Sequence, residues 1–176
     1  GMTFAGHMPP LVGLDHVLES GQRSIEHLGG YSSPGSQLDA QVAATVRAGA
    51  YNCPTLAIQT ILSSSARSAD LRAVTGALYK AGARLLVGTD SGIDKTQPGS
   101  SIHDELEQFV NAGLTPFAAL LGATRTAAEY LNQTDNIGTI GVGKEADLIL
   151  VRSNPLQDIG ATRKIDAVIV DGRLLN

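Results

Sequence analysis

The chain has 176 residues, of which 43% are hydrophobic, 17% charged and 4% aromatic, with a formal charge of −4 and a pI near 5.5. That is one ordinary domain, or one domain with a small appendage, and a packed globule in place of a disordered chain. An acidic chain without a Lys/Arg cluster argues against nucleic acid or an anionic membrane as partner, and no apolar run approaches the roughly 20 residues of a membrane span. The single Cys53 excludes an internal disulfide, and nothing reads as a signal peptide, so the expected compartment is the cytoplasm.

In chain order, Met2 to Gly6 reads as a short strand ending at His7, because Pro9-Pro10 forbids smooth continuation. Leu14, Val17 and Leu18 predict a helix over 11–20, stopped by Gly21. Arg23 to His27 is a second strand. Leu38, Val42 and Val46 recur every four residues and predict an amphipathic helix over 36–48. Residues 50–55 follow as a strand and 70–81 as a helix. Leu85 to Val87 is a continuous apolar run, the pattern of a strand buried on both faces. Helices are then expected over 102–112, from the Thr115-Pro116 cap to Leu121, and over 125–131. Four strand-then-helix units predict a parallel sheet with right-handed crossovers. Beyond a boundary near residue 135 the pattern changes: strands at 146–151, 167–170 and 173–175 without helices, and a hairpin signal at Asp171-Gly172.

The stretch Arg84-Leu-Leu-Val-Gly-Thr-Asp90-Ser-Gly92 organises the first region. Ligands in such folds are met at the carboxyl ends of parallel strands, where Asp90 stands, although an Asp before Ser-Gly also serves as a turn cap. His7 and His27 end two other strands. Any one of the three is as readily a hydrogen-bonded loop residue; together they supply the imidazole and carboxylate donors of a borderline cation such as Zn²⁺, on one rim of the sheet.

Five segments carry a resemblance: Gly6-His7-Met8-Pro9, Ser24-Ile25-Glu26-His27, Pro54-Thr55-Leu56, Gly88-Thr89-Asp90-Ser91-Gly92 and the run from Gly141 to Leu148. In this order and spacing the chain resembles the second half of a metal-dependent amidohydrolase, in the imidazolonepropionase-like and prolidase-like branch. The resemblance implies an α/β chain: the C-terminal half of a TIM-like (β/α)8 barrel, strands five to eight, over residues 1–135, and C-terminal strands of a small composite β-sandwich over 136–176. It implies that His7 and His27 bind one divalent metal, most readily zinc, and that Asp90 binds a second and serves as general base. The substrate it implies is a small amide, cyclic amide or dipeptide.

The departures are as informative. The family's first strand supplies an H-x-H pair and its fourth a carboxylated Lys or a Glu; this chain has no H-x-H, and none of its lysines precedes His7. A whole barrel takes about 250 residues, so the expectation is a fragment with a weak metal site, inactive by itself. Tyr31, Thr55 and His103 are candidate substrate-binding residues; His16 and Cys53 read as packing residues. The alternative is a non-catalytic half-barrel scaffold. Either way two open sheet edges, with Ile25, Leu85 and Val87 expected on an uncovered apolar face, predict a homo-oligomer or pairing with a missing N-terminal half.

Overall fold

A computed structural model describes residues 3–9, 11–92 and 96–175; Met2, at the start of the first expected strand, and Pro10, in the Pro-Pro stop after it, lie outside the described residues. Four short strands, β1 (Ala5–Gly6), β2 (Ser24–Glu26), β3 (Tyr51–Cys53) and β4 (Arg84–Leu85), form a parallel sheet in the order of the chain. Consecutive strands are joined by helices: α1 (Leu14–Glu19), α2 (Ser36–Ala48), and then the pair α3 (Leu56–Leu62) and α4 (Ser65–Lys80). Helices α5 (Ser101–Asn111), α6 (Pro116–Ala123) and α7 (Arg125–Leu131) follow. The remainder is a three-stranded antiparallel sheet, β5 (Leu148–Val151), β6 (Ile165–Val170) and β7 (Arg173–Leu175). None of the described helices is long and apolar enough to cross a membrane.

Most elements follow from local chemistry. Helix α2 ends at Gly49, whose φ of 65° is the left-handed cap that glycine adopts without a Cβ clash. Helix α6 opens on Thr115, whose hydroxyl accepts from the Ala118 N–H, with Pro116 in the first helical position. The β6–β7 hairpin turns through Asp171 and Gly172, both at positive φ (50° and 72°), as a two-residue turn between twisted strands requires.

Three expectations change. Helix α3 was not foreseen, since its Leu-Ala-Ile-Gln-Thr-Ile-Leu has no clear apolar period and no conventional cap before it. The apolar run after Arg84 leaves the sheet early: Leu86 still donates to the Asn52 carbonyl on β3, but the Val87 N–H turns to the Gly122 carbonyl at the end of α6.

The sheet has two unlike faces, because side chains alternate along a strand. Ile25 and Leu85 point to the helical layer, where they join Val42, Leu71, Val74, Leu78, Phe109 and others in the main core. The other face carries Ser24 and Glu26, with Tyr51, Cys53 and Leu86 in a smaller cluster beside Tyr130. The expected uncovered face of Ile25 and Leu85 is therefore corrected: both are buried, and Val87 is partly buried against the same core.

Candidate active site

The strand ends bring His7 and His27 together. Their rings meet edge to face with centroids 4.7 Å apart, and the Asp90 carboxylate Oδ2 lies 3.9 Å from His27 Nε2. The proximity follows from the register: Gly6 pairs with Ile25 and Glu26 with Cys53, so the residues that follow β1, β2 and β3 stand on one rim. His27, past β2, donates its backbone N–H to the Cys53 carbonyl and extends that pairing by one step.

At this rim the backbone is strained. His27, Thr55 and Asp90 have φ of 62°, 53° and 49°, and Leu28 follows at 52°; the other described non-glycine residues at positive φ are Asn132 and Asp171. For a β-branched residue such as Thr55 this conformation is an outlier, and such strain collects where a fold holds side chains against their local preference. Thr55 lies against His27: its Oγ1 is 2.6 Å from His27 Nδ1, and the same hydroxyl donates to the Pro54 carbonyl. Its role in the geometry is to hold the ring.

Behind Thr55 lies a residue that the sequence reading passed over. Glu105 on α5 is fully buried, and its carboxylate accepts from the backbone N–H groups of Leu56 (2.9 Å) and Ala57 (2.6 Å), the first two of α3. Burial pushes its carboxyl up to about 7, against the pull of those two hydrogen bonds. The signal was present: Ser101, Glu105 and Phe109 are four residues apart, so the glutamate occupies a core position of the helix. The neighbouring Cys53 thiol is pushed well above its usual range, first by burial and then by Glu26 and Glu105, and is an inert neutral group.

Tyr31 and His103 stand elsewhere. Tyr31 is 3% exposed; its hydroxyl bonds Thr45 and donates to Asn52, and burial pushes it up to about 12, so it ties α2 to β3. His103 Nδ1 lies 3.0 Å from the Thr162 hydroxyl on a 3-10 turn, Ile159–Arg163; burial first, and then Arg163, lower its pKa. Arg163 pairs with Glu107 (2.8 Å) and Asp104, so His103 belongs to the seam that docks the C-terminal region on α5. Among the described residues no three His, Cys, Asp or Glu side chains converge closely enough to hold a metal ion by themselves.

The fold is a parallel α/β layer with two imidazoles in contact on its carboxyl rim, and comparison with known proteins defines the family. The amidohydrolase family matches residues 3–175, and the chain belongs to it. It is 37% identical over 100 residues to ochratoxinase from Aspergillus niger, a match covering 56% of this chain and 20% of that protein. It is 38% identical over 78 residues to imidazolonepropionase from a Geobacillus strain, covering 42% of this chain and 17% of the relative. A solved Xaa-Pro dipeptidase is similar over 93% of this chain and 42% of its own, with a TM-score of 0.79 and 26% identity. The chain thus spans less than half the length of the proteins it resembles.

Proposed function

We propose that this chain is the second half of a (β/α)8 barrel, residues 1–135, with C-terminal strands of a composite sandwich at 136–176, and that the assembled protein hydrolyses a C–N bond in a small amide, cyclic amide or dipeptide. The reading is carried by the His7–His27 pair, 4.7 Å between ring centroids, with Asp90 at 3.9 Å from His27. Two imidazoles and a carboxylate match a divalent cation in kind, zinc foremost, and His7 and His27 would hold it with Asp90 beside them. The chemistry a bound cation supplies there is polarisation of a carbonyl and a water pKa lowered towards roughly 7.

The chain's own residues do the rest. Thr55 fixes the His27 ring, and Asp90, its side chain 57% exposed, is open to take a proton from an attacking water. With three donors in all, charge compensation and support around the ligands fall short, so the isolated chain should bind zinc weakly and turn nothing over. Calorimetric titration with Zn²⁺ tests the first point: weak binding abolished in His7→Ala is expected, and nanomolar retention through dialysis would contradict it. Dipeptide or acyl-amino-acid hydrolysis that appears only when a polypeptide carrying the first four strands is added tests the second. Hydrolysis by the chain alone, lost in Asp90→Ala, would refute it.

The alternative, a scaffold that self-associates without catalysis, is supported by the C-terminal sheet, where Ile149, Leu150, Leu174 and Leu175 are exposed. Its mark would be a stable homo-oligomer that binds no zinc at all.

A further inference from the structure

We infer that Glu105 is a positioning residue for the candidate site: it holds Thr55 in its left-handed turn, and through the Thr55 hydroxyl it fixes the ring orientation and Nδ1–H tautomer of His27. The argument begins with what Thr55 does not do. It stands immediately before α3, where a threonine ordinarily takes an extended conformation and caps the helix with its own hydroxyl. Among the described residues, Ser64 and Thr115 behave that way. Ser64 (φ −63°, ψ 157°) accepts from the Arg67 N–H, and Thr115 (φ −70°, ψ 152°) accepts from the Ala118 N–H. Thr55 instead sits at φ 53°, ψ 45°, makes no cap bond to α3, and spends its hydroxyl on the Pro54 carbonyl and His27.

The cap that Thr55 withholds is supplied by Glu105, which is 49 residues from Leu56 along the chain. The Leu56 N–H belongs to the peptide that follows Thr55, so a carboxylate on it resists rotation about the Thr55 ψ, and the second bond, to Ala57, locks the next peptide. Without the glutamate, α3 would begin with its first two N–H groups unmet in a buried place, and Thr55 could relieve the strain, and meet one N–H of the first turn, by turning to the extended cap. That movement would remove the hydroxyl from His27. With the Thr55 proton committed to Pro54, the hydroxyl acts towards His27 as an acceptor, so Nδ1 carries the ring proton and the Nε2 lone pair is directed to the side of Asp90.

The inference rests on the metal reading only for the use of that lone pair; the tautomer can be observed with no metal present. Long-range ¹H–¹⁵N spectra of histidine-labelled protein, with His27 assigned by its loss in His27→Asn, report which nitrogen is protonated. The full chain should show His27 as Nδ1–H. In Glu105→Ala the ratio should move towards Nε2–H by about an order of magnitude, the scale of one lost hydrogen bond, at a temperature where circular dichroism shows the variant folded. Thr55→Val should do the same with Glu105 intact, and Thr55→Ser should restore Nδ1–H. Should Glu105→Ala fail to fold, Glu105→Met decides, since it keeps the volume and removes both acceptors, and it should move the ratio in the same direction. A folded Glu105 variant with an unchanged tautomer, or a Thr55→Val chain that keeps Nδ1–H, would overturn the inference. Loss of zinc binding with the tautomer shift as expected would count against the metal reading alone.

Discussion

In this chain the less apolar strands are the buried ones. Strands β2 (Ser-Ile-Glu) and β3 (Tyr-Asn-Cys) are buried almost throughout, while β5 (Leu-Ile-Leu-Val) and β7 (Arg-Leu-Leu) have most of their residues exposed. Composition cannot account for this, so coverage must. The parallel sheet lies under a helical layer built by its own crossovers, whereas the antiparallel sheet follows in sequence and is docked through the 3-10 turn on α5. One region is covered on its helical side by its own crossovers; the other leaves apolar side chains exposed.

The sharpest way to break the comparison is to attack the helical layer. Phe109 is fully buried at the centre of the main core, so Phe109→Ala should cost about 3–5 kcal/mol in urea unfolding. A loss below about 1 kcal/mol would mean that the core can collapse around the gap and that the parallel region is less tightly packed than its burial implies.

Glu105 sharpens the same side. Its carboxyl titrates near 4.5 when free and at about 7 in the fold, so between those values the folded state binds more protons than the unfolded one. Stability therefore falls as pH rises through this window, by about 3 kcal/mol in all, and is level on either side of it. Glu105→Gln should flatten the profile of melting temperature against pH between about 4 and 8 relative to the parent chain. A parent profile that rises across this range would reverse the sign and remove the buried charge as its cause.

The seam between the regions is the next test. Arg163 bridges α5 to the C-terminal region through Glu107 and Asp104, but it is partly exposed and screened by solvent. Arg163→Ala should cost about 1 kcal/mol or less in global stability. Its effect should concentrate in faster hydrogen exchange over the 3-10 turn and β5, leaving β2 and β3 unchanged.

Much of this was legible in the sequence. Helix α2 falls where periodicity put it, α7 falls at the expected 125–131, and the strands that deliver His7 and His27 were marked by the stops after them, Pro9-Pro10 and Gly29-Gly30. Their convergence needed only the rule that consecutive parallel strands end on one rim. What stayed hidden depended on non-local partners. The conformation of Thr55 is set by a glutamate from another helix, and no local propensity favours it; α3 is invisible for the same reason, because its cap comes from outside its own segment. The direction in which Leu85 points was misread because a continuous apolar run has no period to show which face is covered, and that of Ile25 because a three-residue strand with one aliphatic side chain is too short to show alternation. Tyr31 and His103 stand beyond strands or at a helix start, where sequence alone does not separate a pocket wall from a packing contact.

The smallest effect on stability, and the most telling for the comparison, belongs to the C-terminal sheet. Leu148, Leu150, Ile169 and Leu174 share one face by register, and Leu150 and Leu174 are 58% and 60% exposed. Because these two side chains lose little on unfolding, the double substitution Leu150→Ser with Leu174→Ser should change folding stability by no more than about 0.5 kcal/mol. Self-association should respond far more. If this face is covered by a second copy, an obligate contact above about 2,000 Å² would be expected, and removing two leucines near its centre should convert a sedimenting dimer or larger species to monomer. The matching pair on the opposite face, Ile149→Ser with Leu175→Ser, separates a specific cover from general stickiness: one pair should dissociate the oligomer and the other leave it intact. Equal weakening by both would mean that the exposed sheet is merely adhesive. A parent chain that sediments as a soluble monomer at micromolar concentration would mean that the sheet tolerates water as it stands.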